Sequence, residues 1–152
     1  QRLEKIVLSA AKQSLKGSIP AIAETVSVKD FILQGSGSAD SLKLIACCFE
    51  DAAHPRKSMK EVLEQWLGAN FPSFASVRPE AYEVGAVREG LKAGSHIPEI
   101  IVLVGPEGDF SSGELNLALE HGYVPVHLGP SRLRTETAAL LCVEIVYNSL
   151  ML

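Results

Sequence analysis

The stretch VLVGPEGDFSSGELNLALEHGYVPVHLGPSRLRTET, residues Val102 to Thr137, holds two short apolar runs, each ending in a Gly-Pro loop that leads into a segment of helical spacing. Ile100 to Val104 and Tyr123 to Leu128 have the length and aliphatic content of buried strands. Two consecutive strand–loop–helix units predict an α/β fold with a mostly parallel sheet flanked by helices. In such sheets ligands gather at the carboxyl ends of the strands, where helix N-termini offer unpaired N–H groups. Both Gly-Pro loops would lie there. Glycine at 105, 108 and 129 lets a ligand approach the main chain, and Pro106 and Pro130 stiffen the loops. On punctuation alone, two ordinary strand-to-helix turns are an equally good reading.

The wording of the loops separates these readings. GPEGDFSSGE (Gly105 to Glu114), followed after a helix and strand by LGPSRLRTETAA (Leu128 to Ala139), resembles the two signature loops of the ribosomal RNA uridine-N3 methyltransferases of the SPOUT superfamily. The resemblance implies a C-terminal trefoil knot that cradles S-adenosylmethionine, and methyl transfer to N3 of a uridine in small-subunit (16S-type) ribosomal RNA. It places the cofactor against Leu103, Val104, Gly105, Glu107, Gly108, Leu128, Gly129, Pro130, Leu133 and Thr135, largely through main-chain groups. Three departures stand out. Asp109 occupies a position usually held by glycine, Ser131 and Arg132 replace a more usual arginine and aliphatic pair, and Leu15 and Ser18 stand where glycine and arginine are usual.

The chemistry narrows the catalytic candidates. Uracil N3–H is a weak acid, so methylation requires its proton to leave and the resulting ring anion to be stabilised in line with the methyl donor. Arg134 is the best-placed cation, because a guanidinium can hydrogen-bond two acceptors; the competing reading is an ion pair with Glu107 or Glu136. Glu136 is the second catalytic candidate, read as organising the site rather than as general base, since a carboxylate at a helix N-terminus is favoured as the anion. Thr135 and Thr137 either cap that helix or hold the cofactor carboxylate.

Composition sets the bounds. With 152 residues, 47% hydrophobic and 21% charged, one globular domain with a full core is expected. Cys47, Cys48 and Cys142 form no CxxC pair, and adjacent cysteines on a strand face opposite ways, so free thiols in a reducing compartment are expected. The histidines at 54, 96, 121 and 127 match no metal motif, and no metal is predicted. A formal charge of −4 is unusual for an RNA enzyme, but basic residues cluster at Arg2, Lys5, Lys12 and Lys16, at Arg56, Lys57 and Lys60, and at Arg132 and Arg134.

Along the chain, Arg2 to Lys16 carries Leu3, Ile6, Val7, Ala10, Ala11 and Ser14 at helical spacing, closed by Gly17 and Pro20, with one face expected on the sheet. Gln13, Ile19 and Pro20 within this segment match the family resembled. Val28 to Leu33 reads as a short helix capped by Ser27, and Leu42 to Phe49 as the first strand. Ser58-x-x-Glu61 and Ser111-x-x-Glu114 are capping-box patterns, opening helices with Val62, Leu63, Trp66 and Leu67, and with Leu115, Leu117, Ala118 and Leu119, on their inner sides. His54 is the histidine to watch, in a His-Pro-Arg loop that resembles the family's. Residues 70 to 98 read as an insertion with one short helix around 84 to 92. The last helix, Glu136 to Leu152, is apolar almost all round but short for a membrane span of about 20 residues, so a homodimer through this helix and the knot is expected.

No charged-then-apolar leader is visible, and a cytoplasmic protein is expected, or an organellar one in a eukaryote. The family's RNA-binding β-barrel, and the first strand and helix of its catalytic domain, would precede Gln1, so this chain is expected to hold the cofactor better than the RNA. Two other classes compete. One is a noncatalytic RNA-binding or assembly module on the same fold. The other is a doubly wound nucleotide-binding domain, against which GPEGDF lacks both the Lys-Ser/Thr of a P-loop and the order of a GxGxxG turn.

Overall fold

The computed structural model describes residues 2–14, 19–35, 37–49, 53–72 and 98–151. In chain order these form α1 (Arg2–Gln13), α2 (Val28–Leu33), β1 (Leu42–Ala46), β2 (Lys57–Ser58), α3 (Met59–Asn70), β3 (Ile100–Val104), α4 (Ser112–Glu120), β4 (Val124–His127) and α5 (Thr135–Met151). The helix expected around 84–92, and positions 15, 17 and 18, lie outside the described residues.

The strands form one parallel sheet in the order β2-β4-β1-β3. Alternation along the strands divides the core into two layers. Leu42 and Leu44 of β1 and Val126 of β4 face α3 and α5, where Met59, Leu63, Leu67 and Cys142 are buried. Ile45 and Cys47 face the other way, against Ile32 of α2, Leu115 and Ala118 of α4, and Tyr123. Strand β3 is a continuous aliphatic run, as expected where both faces of the sheet are covered.

Several expectations are met in detail. Strand β3 spans the predicted residues, and Ser27 caps α2 by accepting from the Asp30 N–H at 3.0 Å. Ser111 and Glu114 form a reciprocal capping box, and those bonds hold the Glu114 carboxyl below its ordinary pKa. Gly122, with φ +82°, follows α4 as the left-handed residue that ends a helix with least strain.

Other expectations need correction. Strand β1 stops at Ala46 rather than Phe49: its partner β3 turns away after Val104, opposite Ala46, and Phe49 is exposed. Ser58 precedes α3, but its side chain makes no cap bond; it is the last residue of β2, paired with His127, a short strand that the sequence pattern did not reveal. Helix α1 does not lay an apolar face on the sheet. Ala11 is its one buried residue, while Leu3 and Ile6 are exposed, because the two sheet faces are already occupied by the other helices.

Candidate active site

Parallel register brings Ala46, Val104 and Val126 side by side at the carboxyl edge of the sheet. The chain leaves that edge at Cys47, Gly105 and His127, and the loops that follow enclose a single cleft with the start of α5. The cleft is therefore a direct consequence of strand direction.

Of the residues singled out from sequence, Val104, Gly105, Glu107, Leu128, Gly129, Leu133 and Thr135 line this cleft. Leu103 does not; its side chain packs within the α2–α4 layer. Gly108, Pro130 and Arg134 are exposed loop residues outside the lining, and Glu136, exposed in the first turn of α5, is outside it too. Among the described residues Arg134 makes no ion pair with Glu107 or Glu136, so the competing reading of that arginine is not realised.

Two bonds tie the signature loops together. Thr135 Oγ1 donates to the Gly105 carbonyl at 3.0 Å, and Arg132 Nη2 donates to the Glu107 carbonyl at 3.3 Å. Gly105 is needed for close packing as well, since a Cβ there would lie 3.1 Å from the Phe110 ring. Gly129 differs: its φ of +143° disfavours an L side chain, and a Cβ would meet nothing within 4 Å. The main chain at Gly129 is thus open to the cleft.

The cleft also contains residues outside the predicted site set, of which Asp109 stands out in the sequence only as a departure from glycine. Cys47 and Cys48 line it from the end of β1, Arg56 from the segment before β2, Asp109 from the first loop and His127 from the end of β4. Arg56, rather than the exposed His54, is the lining residue of the His-Pro-Arg loop. Applying the strand-end rule to β1 as well as to β3 and β4 would have found the cysteines.

Local electrostatics are specific. Asp109 holds φ +68°, the one positive-φ non-glycine residue among those described. Its carboxylate accepts from the Cys48 N–H at 2.7 Å and from the Phe110 N–H at 2.9 Å. Burial pushes the Cys47 thiol up to about 11; the nearby Asp109 charge adds to this, and Arg56 opposes it. His127 Nδ1 is buried with no hydrogen-bond partner among the described residues. A buried polar atom left so is costly. Among the described residues no group of three His, Cys, Asp or Glu is arranged to hold a metal ion, and no helix is long and apolar enough to cross a membrane.

The geometry agrees with kinship. A probable rRNA-methyltransferase from Porphyromonas gingivalis superposes with a TM-score of 0.63 at 34% identity, over 97% of this chain and 48% of its own. A ribosomal RNA small subunit methyltransferase E from Neisseria gonorrhoeae, solved bound to S-adenosyl methionine, shares the fold with a TM-score of 0.59 at 23% identity, over 96% of this chain and 45% of its own. In sequence, the ribosomal RNA small subunit methyltransferase E of Aquifex aeolicus is 49% identical over 47 residues, 31% of this chain and 20% of that protein. That of Buchnera aphidicola is 40% identical over 53 residues, 32% of this chain and 22% of that protein. The chain thus spans about half the length of its solved relatives, and its aligned segments cover about a fifth of the curated ones. Residues 1–147 match the family described as the RNA methyltransferase domain, and this chain belongs to that family.

Proposed function

We propose that this chain is the methyltransferase domain of an S-adenosylmethionine-dependent enzyme acting on N3 of a uridine in small-subunit ribosomal RNA. The observation that carries the reading is the convergence of both Gly-Pro loops on one cleft at the strand ends, held together by the Thr135 bond to the Gly105 carbonyl. The residues present fit the cofactor. Main chain at Gly105, Leu128, Gly129 and Leu133 would meet the adenine and ribose, with open space at Gly129 where a Cβ would meet nothing within 4 Å, and the side chains of Val104, Leu128 and Leu133 would supply apolar contact.

When bound, S-adenosylmethionine supplies a sulfonium methyl as electrophile. The chain's own residues then have separable tasks. Arg134, exposed between two lining residues, is assigned to the uracil carbonyl oxygens, where it stabilises the anion formed when N3–H is lost. Glu136, second residue of α5, is assigned to organise the helix N-terminus, where a carboxylate complements the helix dipole. Arg56 and Arg132 add positive charge to the cleft, where phosphate of the ribosomal RNA would pass.

The same reading includes a trefoil knot formed by the second loop and α5, one methyltransferase domain over 1–152 with an RNA-binding barrel elsewhere in the parent protein, a cytoplasmic or organellar setting, and a homodimer through α5. Leu140, Val143 and Tyr147 support the dimer: they form an i, i+3, i+7 stripe, exposed by 73%, 68% and 47%. Ile145, by contrast, packs on the core, so the stripe and not that residue is the proposed contact.

Calorimetric titration with S-adenosylmethionine, S-adenosylhomocysteine, ATP and NAD tests the reading. One site per chain for the first two and none for ATP or NAD is expected; absence of S-adenosylmethionine binding would overturn it. In the longer protein with its RNA, Arg134→Ala should lower turnover more than cofactor affinity. Cofactor binding with no methylation of small-subunit RNA by that longer protein would favour a noncatalytic RNA-binding module.

A further inference from the structure

We propose that Arg56 and Asp109 are positioning residues that grip one peptide group, the bond between Cys47 and Cys48, from its two ends and thereby set one wall of the cleft. The Cys47 carbonyl accepts from Arg56 Nη1 at 3.0 Å, and the Cys48 N–H donates to Asp109 Oδ2 at 2.7 Å. Both acceptor and donor belong to the same peptide. This inference rests on the cofactor reading of the cleft for its functional consequence, but the grip itself is a separate claim.

The position explains why such a device is needed. Cys47 is the first residue past β1, and its own N–H still reaches the Val126 carbonyl at 3.3 Å. The next peptide has left the ladder, and its polar groups need partners from outside the sheet. They receive charged ones. A guanidinium at the carbonyl end and a carboxylate at the N–H end both align with the peptide dipole, so each bond is charge-assisted and each strengthens the other through the amide.

The grip ties the end of β1 and the residues before β2, nine positions apart, to the first signature loop, 61 positions from Cys48. Asp109 is adapted to the last of these. Its backbone occupies φ +68°, where glycine would be unstrained, and its N–H closes a turn onto the Pro106 carbonyl at 2.9 Å. Only a side chain can reach Cys48, so the strain is retained with the bridge. Phe110 follows directly and sits against Gly105, so a shift at Asp109 is passed to the loop that Thr135 holds from the other side.

The test combines S-adenosylmethionine calorimetry with NMR hydrogen exchange of the Cys48 amide in the ligand-free chain. Asp109→Gly should weaken cofactor binding by about tenfold and speed Cys48 exchange by a similar factor, while thermal stability holds, since glycine relaxes the backbone. Asp109→Asn keeps an acceptor and tolerates the positive φ, and should restore affinity to within about threefold. Arg56→Gln should also speed Cys48 exchange, and the Asp109→Gly/Arg56→Gln pair should lose less than the product of the single losses. Wild-type affinity in Asp109→Gly, or single losses that simply multiply, would overturn the proposal. If the wild-type chain binds no S-adenosylmethionine, the cofactor reading fails while the exchange rates still decide the grip: unchanged Cys48 exchange in both single variants rejects it.

Discussion

Thr135 Oγ1 lies 3.0 Å from the Gly105 carbonyl oxygen, so the first residue of α5 holds the first residue after β3 although 30 positions separate them. This bond satisfies a carbonyl that has left the sheet ladder and fixes the spacing of the two loops. Thr135→Val, similar in shape but without the donor, should weaken S-adenosylmethionine binding by about tenfold, and Thr135→Ser should retain most of the affinity. Calorimetry on the three proteins checks this; equal affinity in Thr135→Val would show that loop spacing does not depend on the bond.

At Gly129 two effects act together. A valine would fill cleft space beside the main chain and would also be strained at φ +143°. Gly129→Val is therefore expected to abolish measurable cofactor binding, with Gly129→Ala intermediate. A folded Gly129→Val chain that binds as well as wild type would remove the main chain of this loop from the ligand site.

The thiols should respond to pH in a defined direction. Cys47 and Cys142 are both buried and raised from 9.0 to about 11, Cys142 by burial and Cys47 by burial with the Asp109 charge beside it. A raised folded value means that their stabilising effect is complete below the unfolded value and is lost as pH climbs through the folded one. The thiol contribution should thus be flat up to about pH 8, and denaturant midpoints should decline between about pH 9 and 11, less steeply in Cys142→Ala. Exposed Cys48 should be alkylated in the native chain well before the other two.

The α5 stripe gives an association test. Leu140 and Val143 are exposed by 73% and 68%, so replacing both by glutamate should leave the fold intact and weaken a dimer by about 100-fold or more. Sedimentation of wild type and variant at micromolar concentration checks this; a wild-type monomer would reject α5 as the dimer surface.

What the sequence determined by itself was local. Two aliphatic runs, each followed by Gly-Pro and a capped amphipathic segment, suffice to specify strand, loop and helix, because strand length, capping and helical period depend on near neighbours. Hence β3, the Ser111–Glu114 box and the placement of Gly105 and Gly129 in strand-end loops are legible, whereas Thr135, read as a helix cap or a cofactor contact, bonds to the Gly105 carbonyl. Tertiary structure decided what depends on register and on distant partners. The packing of Leu103 against the α2–α4 layer follows from the alternation of β3 once the sheet is assembled. The exposure of α1 follows from the sheet faces being filled by other helices. Cys48 and Asp109 meet only because parallel pairing aligns the ends of β1 and β3, 61 positions apart, a condition set by long-range hydrogen bonds that no stretch of contiguous residues encodes, while Arg56 reaches the same peptide from the segment just before β2.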